Sequence, residues 1–164
     1  FYDTMTRADD VLEALEKTPA GVPAVVMLAE HDGLVETEAL LPRFDRAFPN
    51  PKSRILWYGE ERFAKGLSER VRVLSESVPQ MRVASFSHMG LMHRPDNPQY
   101  GEAGADRFCW NGQSQADSKA CEAGADIWYS GERHQPDEAH NYARLTFNPW
   151  YDEQLAEILA AMAR

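Results

Sequence analysis

The pattern of apolar residues along the chain predicts three strands. A continuous apolar run covers residues 22–28 (VPAVVML), and a second predicted strand covers residues 53–58 (SRILWY). Runs of this kind, rich in β-branched and aromatic residues, are typical of strands buried on both faces of a parallel sheet. A third strand is predicted over residues 81–86 (MRVASF), where apolar and polar positions alternate.

Before, between and after these strands, apolar residues recur at helical spacing, which predicts four helices. The predicted helices run from Asp9 or Asp10 to Glu16, from Glu36 or Thr37 to the stop at Asn50-Pro51, from Leu67 to Val78, and from Tyr151 to Met162. Strands that alternate with helices are the pattern of a parallel sheet with helical crossovers. We therefore expect the α/β class, with a three-layer arrangement of helices on both faces of the sheet.

Composition restricts the function classes. The chain has 164 residues, which is the length of one domain, and a formal net charge of -9. This charge disfavours a nucleic-acid partner, because phosphate binding needs clustered Lys and Arg. No window reaches the roughly 18 apolar residues of a membrane span. The chain begins Phe1-Tyr2-Asp3 without a methionine or a signal peptide, so we expect it to be an internal part of a longer polypeptide.

The sequence divides into three parts within one partial domain, 1–164. Residues 1–100 carry the strand and helix patterns, 101–140 form an aperiodic segment rich in Gly, Ser, Asp and aromatic residues, and 141–164 end the chain with a helix. The middle segment holds both cysteines, Cys109 and Cys121. A disulfide is favoured over two unpaired surface thiols, and a zinc site would need more ligands than this pair supplies.

Two segments place reactive side chains directly after predicted strands, where open α/β sheets bind their ligands. The first is Glu30-His31-Asp32-Gly33-Leu34-Val35, an acidic turn that follows a buried strand. The second is Ser87-His88-Met89-Gly90, in which a histidine follows the third predicted strand. Asp32 is the candidate acid that orients a histidine, and His88 is the candidate general base.

These two motifs resemble the C-terminal portion of α/β-hydrolases, in which an acid and then a histidine occupy successive strand ends. The turn Gly33-Leu34-Val35 is similar to the usual turn after the acid, and the segment 94–101 (RPDNPQYG) is similar to the loop after the histidine in some serine esterases. The resemblance covers residues 30–95. It implies the C-terminal portion of an α/β-hydrolase fold and a Ser-His-Asp mechanism in which Asp32 and His88 assist a serine.

The serine itself departs from the family pattern. None of the nine serines stands in a G-x-S-x-G elbow. The segment Gly112-Gln113-Ser114-Gln115-Ala116 is similar to one, but it follows the histidine, which is the wrong order for this fold. A surface loop is the alternative for Ser114, and the nucleophile is expected upstream of this chain.

Other candidates remain open. Glu60 and Glu61, after the second predicted strand, are rival acids, because the acid often follows the strand next before the histidine strand. His93 is a rival base, and His31 is expected beside the site.

For two further groups of residues, the sequence leaves both a functional and a purely structural interpretation open. The polar group Glu132, His134, Asp137, Glu138 and His140 is a candidate metal cluster, against which a solvated loop is favoured. Four aromatic residues of the C-terminal part are expected to line a pocket or to form a small core: Trp110, Trp128, Tyr129 and Trp150.

The preferred function is the acid- and histidine-bearing part of a serine hydrolase, an esterase or lipase-like enzyme that acts on a small-molecule ester without cofactor or metal. The alternative is a non-catalytic α/β module that binds a partner or ligand. The hydrolase predicts an exposed parallel edge strand, to which the missing N-terminal half or a domain-swapped copy binds. The chain alone is expected to be inactive. The cysteine pair favours a periplasmic or secreted location.

Overall fold

The computed structural model describes residues 10–163 except 12, 65–68, 111, 112, 136 and 138, and it omits the side chains of 63 and 64. Over this part of the chain the protein is a mixed α/β fold with two small parallel sheets. The predicted α/β class is confirmed at this level. Asp9 and Leu67, at which predicted helices begin, lie outside the described residues. Within the described ranges, no helix is both long and apolar enough to span a bilayer.

The first sheet contains three parallel strands in the order β1-β2-β3. They are β1 (Val25–Ala29), β2 (Arg54–Tyr58) and β3 (Val71–Leu74). The second sheet pairs β4 (Ile127–Ser130) with β5 (Asn141–Arg144), again in parallel. The predicted strands 22–28 and 53–58 thus become β1 and β2, each shortened at its beginning.

The helices are mostly short. The described residues between 10 and 17 are helical (α1), followed by α2 (Phe44–Ala47), α3 (Glu61–Ala64), α4 (Gln115–Glu122) and α5 (Tyr151–Met162). The last helix has the predicted bounds. The helix predicted from residue 36 or 37 is instead two 3-10 turns, Thr37–Ala39 and Leu41–Arg43, followed by α2. Pro42, which lacks an N–H group, stands at the start of the second turn and prevents a continuous α-helix.

The predicted helix 67–78 is wrong, because β3 occupies its centre. Val71 and Val73 alternate with Arg72, and the two valines lie on the same face of the sheet. This alternation is the period of a strand. Val71 pairs with Ile55 of β2. The helical spacing of residues 71, 74 and 78 is therefore coincidental, and tertiary pairing with β2 determines the conformation.

The predicted strand 81–86 is also wrong. Residues Pro79–Met81 form a 3-10 turn, and Arg82 has a φ of 54°, in the left-handed region that a regular strand cannot use. Val83 makes only isolated bridges, antiparallel to Val78 and parallel to Tyr129. The segment is nevertheless buried at Val83 and Phe86, so it still carries His88 to the edge of the core.

Both faces of the first sheet are covered. Along β2, Ile55 and Trp57 pack with the helical turns of residues 37–48, whereas Leu56 and Tyr58 pack with the second sheet on the other face. This alternation explains why residues 55–58 of the strand are all apolar or aromatic, as expected for a doubly covered parallel sheet.

The segment 101–140 contains more regular structure than its composition suggests, namely α4 and β4. The expected disulfide is present: Cys109 and Cys121 are joined, with their Cα atoms 5.6 Å apart. Both cysteines are buried, although neither lies in an apolar stripe of the sequence. The disulfide attaches α4, which packs on β5, to the chain that precedes it.

Candidate active site

The acid turn after β1 holds Asp32 in a fixed position. The backbone N–H of Asp32 donates to the carbonyl oxygen of Ala29 at 3.2 Å. Its Oδ1 accepts from the backbone N–H groups of Leu34 at 2.7 Å and Val35 at 2.9 Å. Aspartate and glycine favour such turns because the side chain bonds to the backbone that follows it. The Asp32 carboxylate is therefore oriented by its own loop, and its side chain is only 3% exposed.

The turn that carries His88 is anchored on both sides. Phe86 stacks on Tyr58 of β2 with ring centroids 4.5 Å apart. The buried Ser87 hydroxyl donates to the carbonyl oxygen of Leu145 and accepts from the Gly90 N–H at 2.9 Å. A 3-10 turn over Met89–Leu91 follows. The histidine thus projects from a backbone that is fixed to β2 and to the segment after β5.

The structure brings Asp32 and His88 together. The Nδ1 atom of His88 lies 2.8 Å from Oδ2 of Asp32, across 56 residues of sequence. An ionised carboxylate at this place fixes the proton on Nδ1, which leaves Nε2 as the basic nitrogen. The His88 side chain is 46% exposed, and among the described residues none is recorded as a hydrogen-bond partner of Nε2. The arrangement can accept a proton from an incoming group and stabilise the resulting positive charge.

Glu132 lies between the two turns. Its Oε2 accepts from the N–H of His88 at 3.2 Å and from the N–H of Gly33 at 3.4 Å. Its other oxygen, Oε1, lies 3.6 Å from Nε of Arg144 on β5. Glu132 is 99 residues from Gly33, so no local pattern in the sequence signals this contact.

The described residues of the candidate metal cluster, of which Glu132 is one, do not share a common centre. Asp137 Oδ1 lies 2.9 Å from Nδ1 of His140, and Asp137 also accepts from the Tyr142 hydroxyl at 3.1 Å. Glu132 is directed to the site turns instead, and Glu138 lies outside the described residues. The described members of the group therefore do not form a common metal site.

His31 lies beside the site, as expected, and within an acidic group. Its Nδ1 is 2.6 Å from Oε2 of Glu76, and Glu30 completes a set whose ligand atoms lie within 4.8 Å of one another. The contact with Glu76 raises the pKa of His31, against the opposing effect of burial. Burial raises the pKa of Glu30, and the nearby Glu76 charge adds to this.

The rival site residues have other partners. Glu60 pairs with Nε of Arg62 at 2.7 Å, and Glu61 is exposed at the start of α3. His93 is half-buried and packs against Tyr100 with ring centroids 4.8 Å apart. No contact between any of these side chains and the Asp32-His88 pair is recorded in the described structure.

Ser114 is the N-cap of α4. Its hydroxyl oxygen accepts from the Asp117 N–H at 3.2 Å, and the hydroxyl also lies 2.6 Å from the Asp117 carboxylate. Serine is preferred at this position because it satisfies a free N–H at the helix start. Gly112, the first glycine of the motif, lies outside the described residues.

The four aromatic residues are dispersed. Trp110 is 68% exposed, whereas Tyr129 is buried and packs edge-on against Phe147. Trp128 packs against His140, and the Trp150 indole donates to the carbonyl oxygen of Ser75 at 2.9 Å. They do not line one pocket.

Comparisons with known proteins identify no relative: neither a family model, nor a curated protein, nor a solved structure matches the chain.

Proposed function

We propose that this chain supplies the acid and the general base of a serine hydrolase of the α/β-hydrolase type, which acts on a carboxylic ester. The observation that carries the proposal is the 2.8 Å contact between His88 Nδ1 and the buried Asp32 carboxylate. The acid follows β1, and the fixed histidine turn brings the base to it. An acid and a histidine that meet in this way are what acyl transfer requires of the two assisting residues.

In the proposed reaction, Nε2 of His88 removes the proton from a serine hydroxyl as its oxygen attacks the ester carbonyl. The ester C–O bond then breaks, and the same proton passes from His88 to the departing alcohol. Water repeats the sequence on the acyl-enzyme and releases the acid. Asp32 stabilises the imidazolium in both steps without accepting its proton.

The nucleophile is proposed to come from a segment outside these 164 residues. Support comes from the absence of a G-x-S-x-G elbow in the sequence and from the capping role of Ser114. The oxyanion hole is proposed to come from the same segment, because in this fold it adjoins the nucleophile.

The outer edge of β1, which has no strand partner among the described residues, is the proposed position of the missing strands. The N–H of Glu30 donates to Tyr58, and the carbonyl of Ala24 accepts from Arg54. Because alternate residues of a strand face opposite neighbours, Val25 and Met27 direct their backbone groups away from β2. Ala29 does so too, but its carbonyl oxygen already accepts from the Asp32 N–H. Strands added there would extend the small sheet toward the three-layer arrangement. The occupant is the N-terminal half of the same polypeptide or a domain-swapped copy.

A periplasmic or secreted location belongs to the same proposal. The Cys109–Cys121 disulfide supports an oxidising compartment, because thiols are kept reduced in the cytosol of most organisms.

The decisive experiment uses a fluorophosphonate probe, which labels an activated serine. The chain is tagged in its natural source, purified with every polypeptide attached to it, treated with the probe, and analysed by intact mass. We expect the label on a serine outside residues 1–164. His88→Ala should reduce the labelling rate at least about 10³-fold, because the nucleophile loses its base.

His93→Ala is the matched control, since it removes a nearby imidazole outside the pair, and labelling should continue at the wild-type rate. A label on Ser114, or labelling that is unaffected by His88→Ala, would contradict the proposal.

A further inference from the structure

We infer that Glu132 is a positioning residue that fastens the acid turn to the histidine turn through one carboxylate oxygen. This inference rests on the proposed function, because it gives Glu132 a part in holding the same pair. Glu132 belongs to the segment that follows the histidine, and the sequence suggests no such role for it.

The hydrogen bonds define this role. Oε2 of Glu132 accepts from the N–H of His88 itself and from the N–H of Gly33, the residue directly after Asp32. One oxygen therefore holds the two peptide units that carry the base and the acid. Hydrogen bonds to an ionised acceptor are stronger than neutral ones, so a single carboxylate can control the separation of both turns.

The environment of Glu132 restricts the movement of its carboxylate. Its side chain is 9% exposed, and Arg144 approaches its second oxygen. A buried carboxylate is costly unless it has hydrogen bonds or a charge partner, and Glu132 has both. Arg144 lies on β5, and its own backbone N–H donates to Phe108 beside the disulfide. The carboxylate thus contacts a strand that is hydrogen-bonded to the segment beside the disulfide.

Close packing fixes the backbone around Glu132 as well. A Cβ atom on Gly33 would lie 2.5 Å from Cβ of Glu132, and one on Gly131 would lie 2.0 Å from the carbonyl oxygen of Phe86. The N–H of Gly131 donates to Ser85 Oγ at 3.0 Å, and the N–H of Arg133 donates to the His31 carbonyl at 3.3 Å. Residues 131–133 therefore fill the space between the two turns, and their backbone bonds to both.

The direct test observes the pair itself, by NMR on the 164-residue chain with ¹⁵N-labelled histidine. The Nδ1 proton of His88, bonded to Asp32, should appear far downfield and exchange slowly with water, and its assignment is verified by its loss in Asp32→Asn. In Glu132→Ala its exchange rate should rise by about tenfold or more, the effect of losing charge-assisted hydrogen bonds.

Two variants separate positioning from general destabilisation. Glu132→Gln keeps an acceptor oxygen of the same shape but loses the charge, so the exchange rate of the His88 proton should lie between that of the wild type and that of Glu132→Ala. Glu122→Ala removes an exposed glutamate from the same segment and should leave the exchange rate unchanged. If Glu132→Ala fails to fold, Glu132→Gln still tests the proposal, since loss of the charge should increase the exchange of this proton more than that of the core amides.

An exchange rate in folded Glu132→Ala equal to that of the wild type would overturn the inference. The inference would also be overturned if the exchange rate of the His88 proton rose in Glu132→Gln or Glu132→Ala by no more than the exchange rates of the core amides. The fluorophosphonate experiment decides the hydrolase proposal separately, because proton exchange on this chain needs no nucleophile. Either conclusion can therefore fail alone.

Discussion

Each oxygen of the Asp32 carboxylate has its own task. Oδ1 accepts two backbone N–H groups, and Oδ2 faces Nδ1 of His88. Backbone bonds to one oxygen prevent the carboxylate from rotating, so the other oxygen has a defined direction. The position of Asp32 and His88 after apolar runs allowed both to be selected from the sequence. Their catalytic roles remain a proposal.

The sequence identifies these two residues and misses the function of Glu132 for a physical reason. Asp32 has its turn partners within three residues, and the glycine after His88 signals another turn. Glu132 meets its partners only after the chain has folded, and the polar residues around it are typical of a solvated loop. Contacts of this sequence separation leave no periodic or local pattern.

The ion pair of His31 with Glu76 should make the free energy of unfolding depend on pH. The contact raises the pKa of His31 above its ordinary 6.5, so the folded state binds the proton more tightly than the unfolded chain does. The stabilisation is fully present below about pH 6.5 and is lost as the pH rises through the folded-state pKa. Glu76→Gln should therefore lower the free energy of unfolding below about pH 6.5 and change it little in alkaline buffer.

Urea unfolding at several pH values measures this difference, and NMR titration of the imidazole should show a lower pKa in the variant. Asp126→Asn is the control, because that carboxylate is exposed and pairs with Arg82 away from His31. A stability difference that is the same at all pH values would contradict the assignment.

At the scale of elements, prediction succeeded where local pattern and tertiary setting agree. The helix α5 has both predicted bounds, β2 lies within the predicted strand 53–58, and β1 overlaps the predicted strand 22–28 and ends one residue beyond it. The prediction failed at β3, because its four residues fit helical spacing equally well. It also failed at residues 81–86, where Arg82 adopts the left-handed region and ends the extended conformation. Short segments of this kind are determined by what they pair with.

The disulfide should stabilise α4 and the second sheet. Its loop spans 12 residues, and closing a loop of that size stabilises a fold by about 3 kcal/mol in the chain-entropy treatment. Replacing both Cys109 and Cys121 by Ser should therefore lower the thermal midpoint by about 6–12 °C for a chain of this size. Calorimetry with and without dithiothreitol measures the effect.

The reductant provides the internal control for this prediction. It should lower the midpoint of the wild-type protein to that of the double variant and leave the double variant unchanged. Equal midpoints for the oxidised wild type and the variant would show that the covalent bond adds nothing to the packing of α4 on β5.

For the whole molecule, the outer edge of β1 is where we expect association, because β1 pairs only with β2 among the described residues. An open groove of about 580 Å³ runs beside this strand and is lined mainly by apolar side chains, namely Pro23, Val25, Met27, Ile158, Ala161, Met162 and Ala163. An unpaired parallel edge beside an apolar groove is a template for another strand. We therefore expect the 164-residue chain to self-associate when no other polypeptide covers this edge.

Sedimentation velocity over a range of concentrations measures this association. Met27→Lys places a charge in the groove and should shift the population to monomer, whereas Val22→Lys, at a position that is 69% exposed, should behave as the wild type. Circular dichroism confirms that both variants fold. A wild-type chain that stays monomeric at every concentration, or a Met27→Lys variant that still associates, would contradict the prediction.

The spacing of Asp32, His88 and Glu132 along the chain also orders the events of biosynthesis. A ribosome adds roughly 5–20 residues each second, so the 99 residues that separate Gly33 from Glu132 take about 5–20 s to synthesise. The acid turn is made first, and His88 follows it, 44 residues before the glutamate that contacts both turns. The three-residue cluster is therefore completed by its last-made member, Glu132.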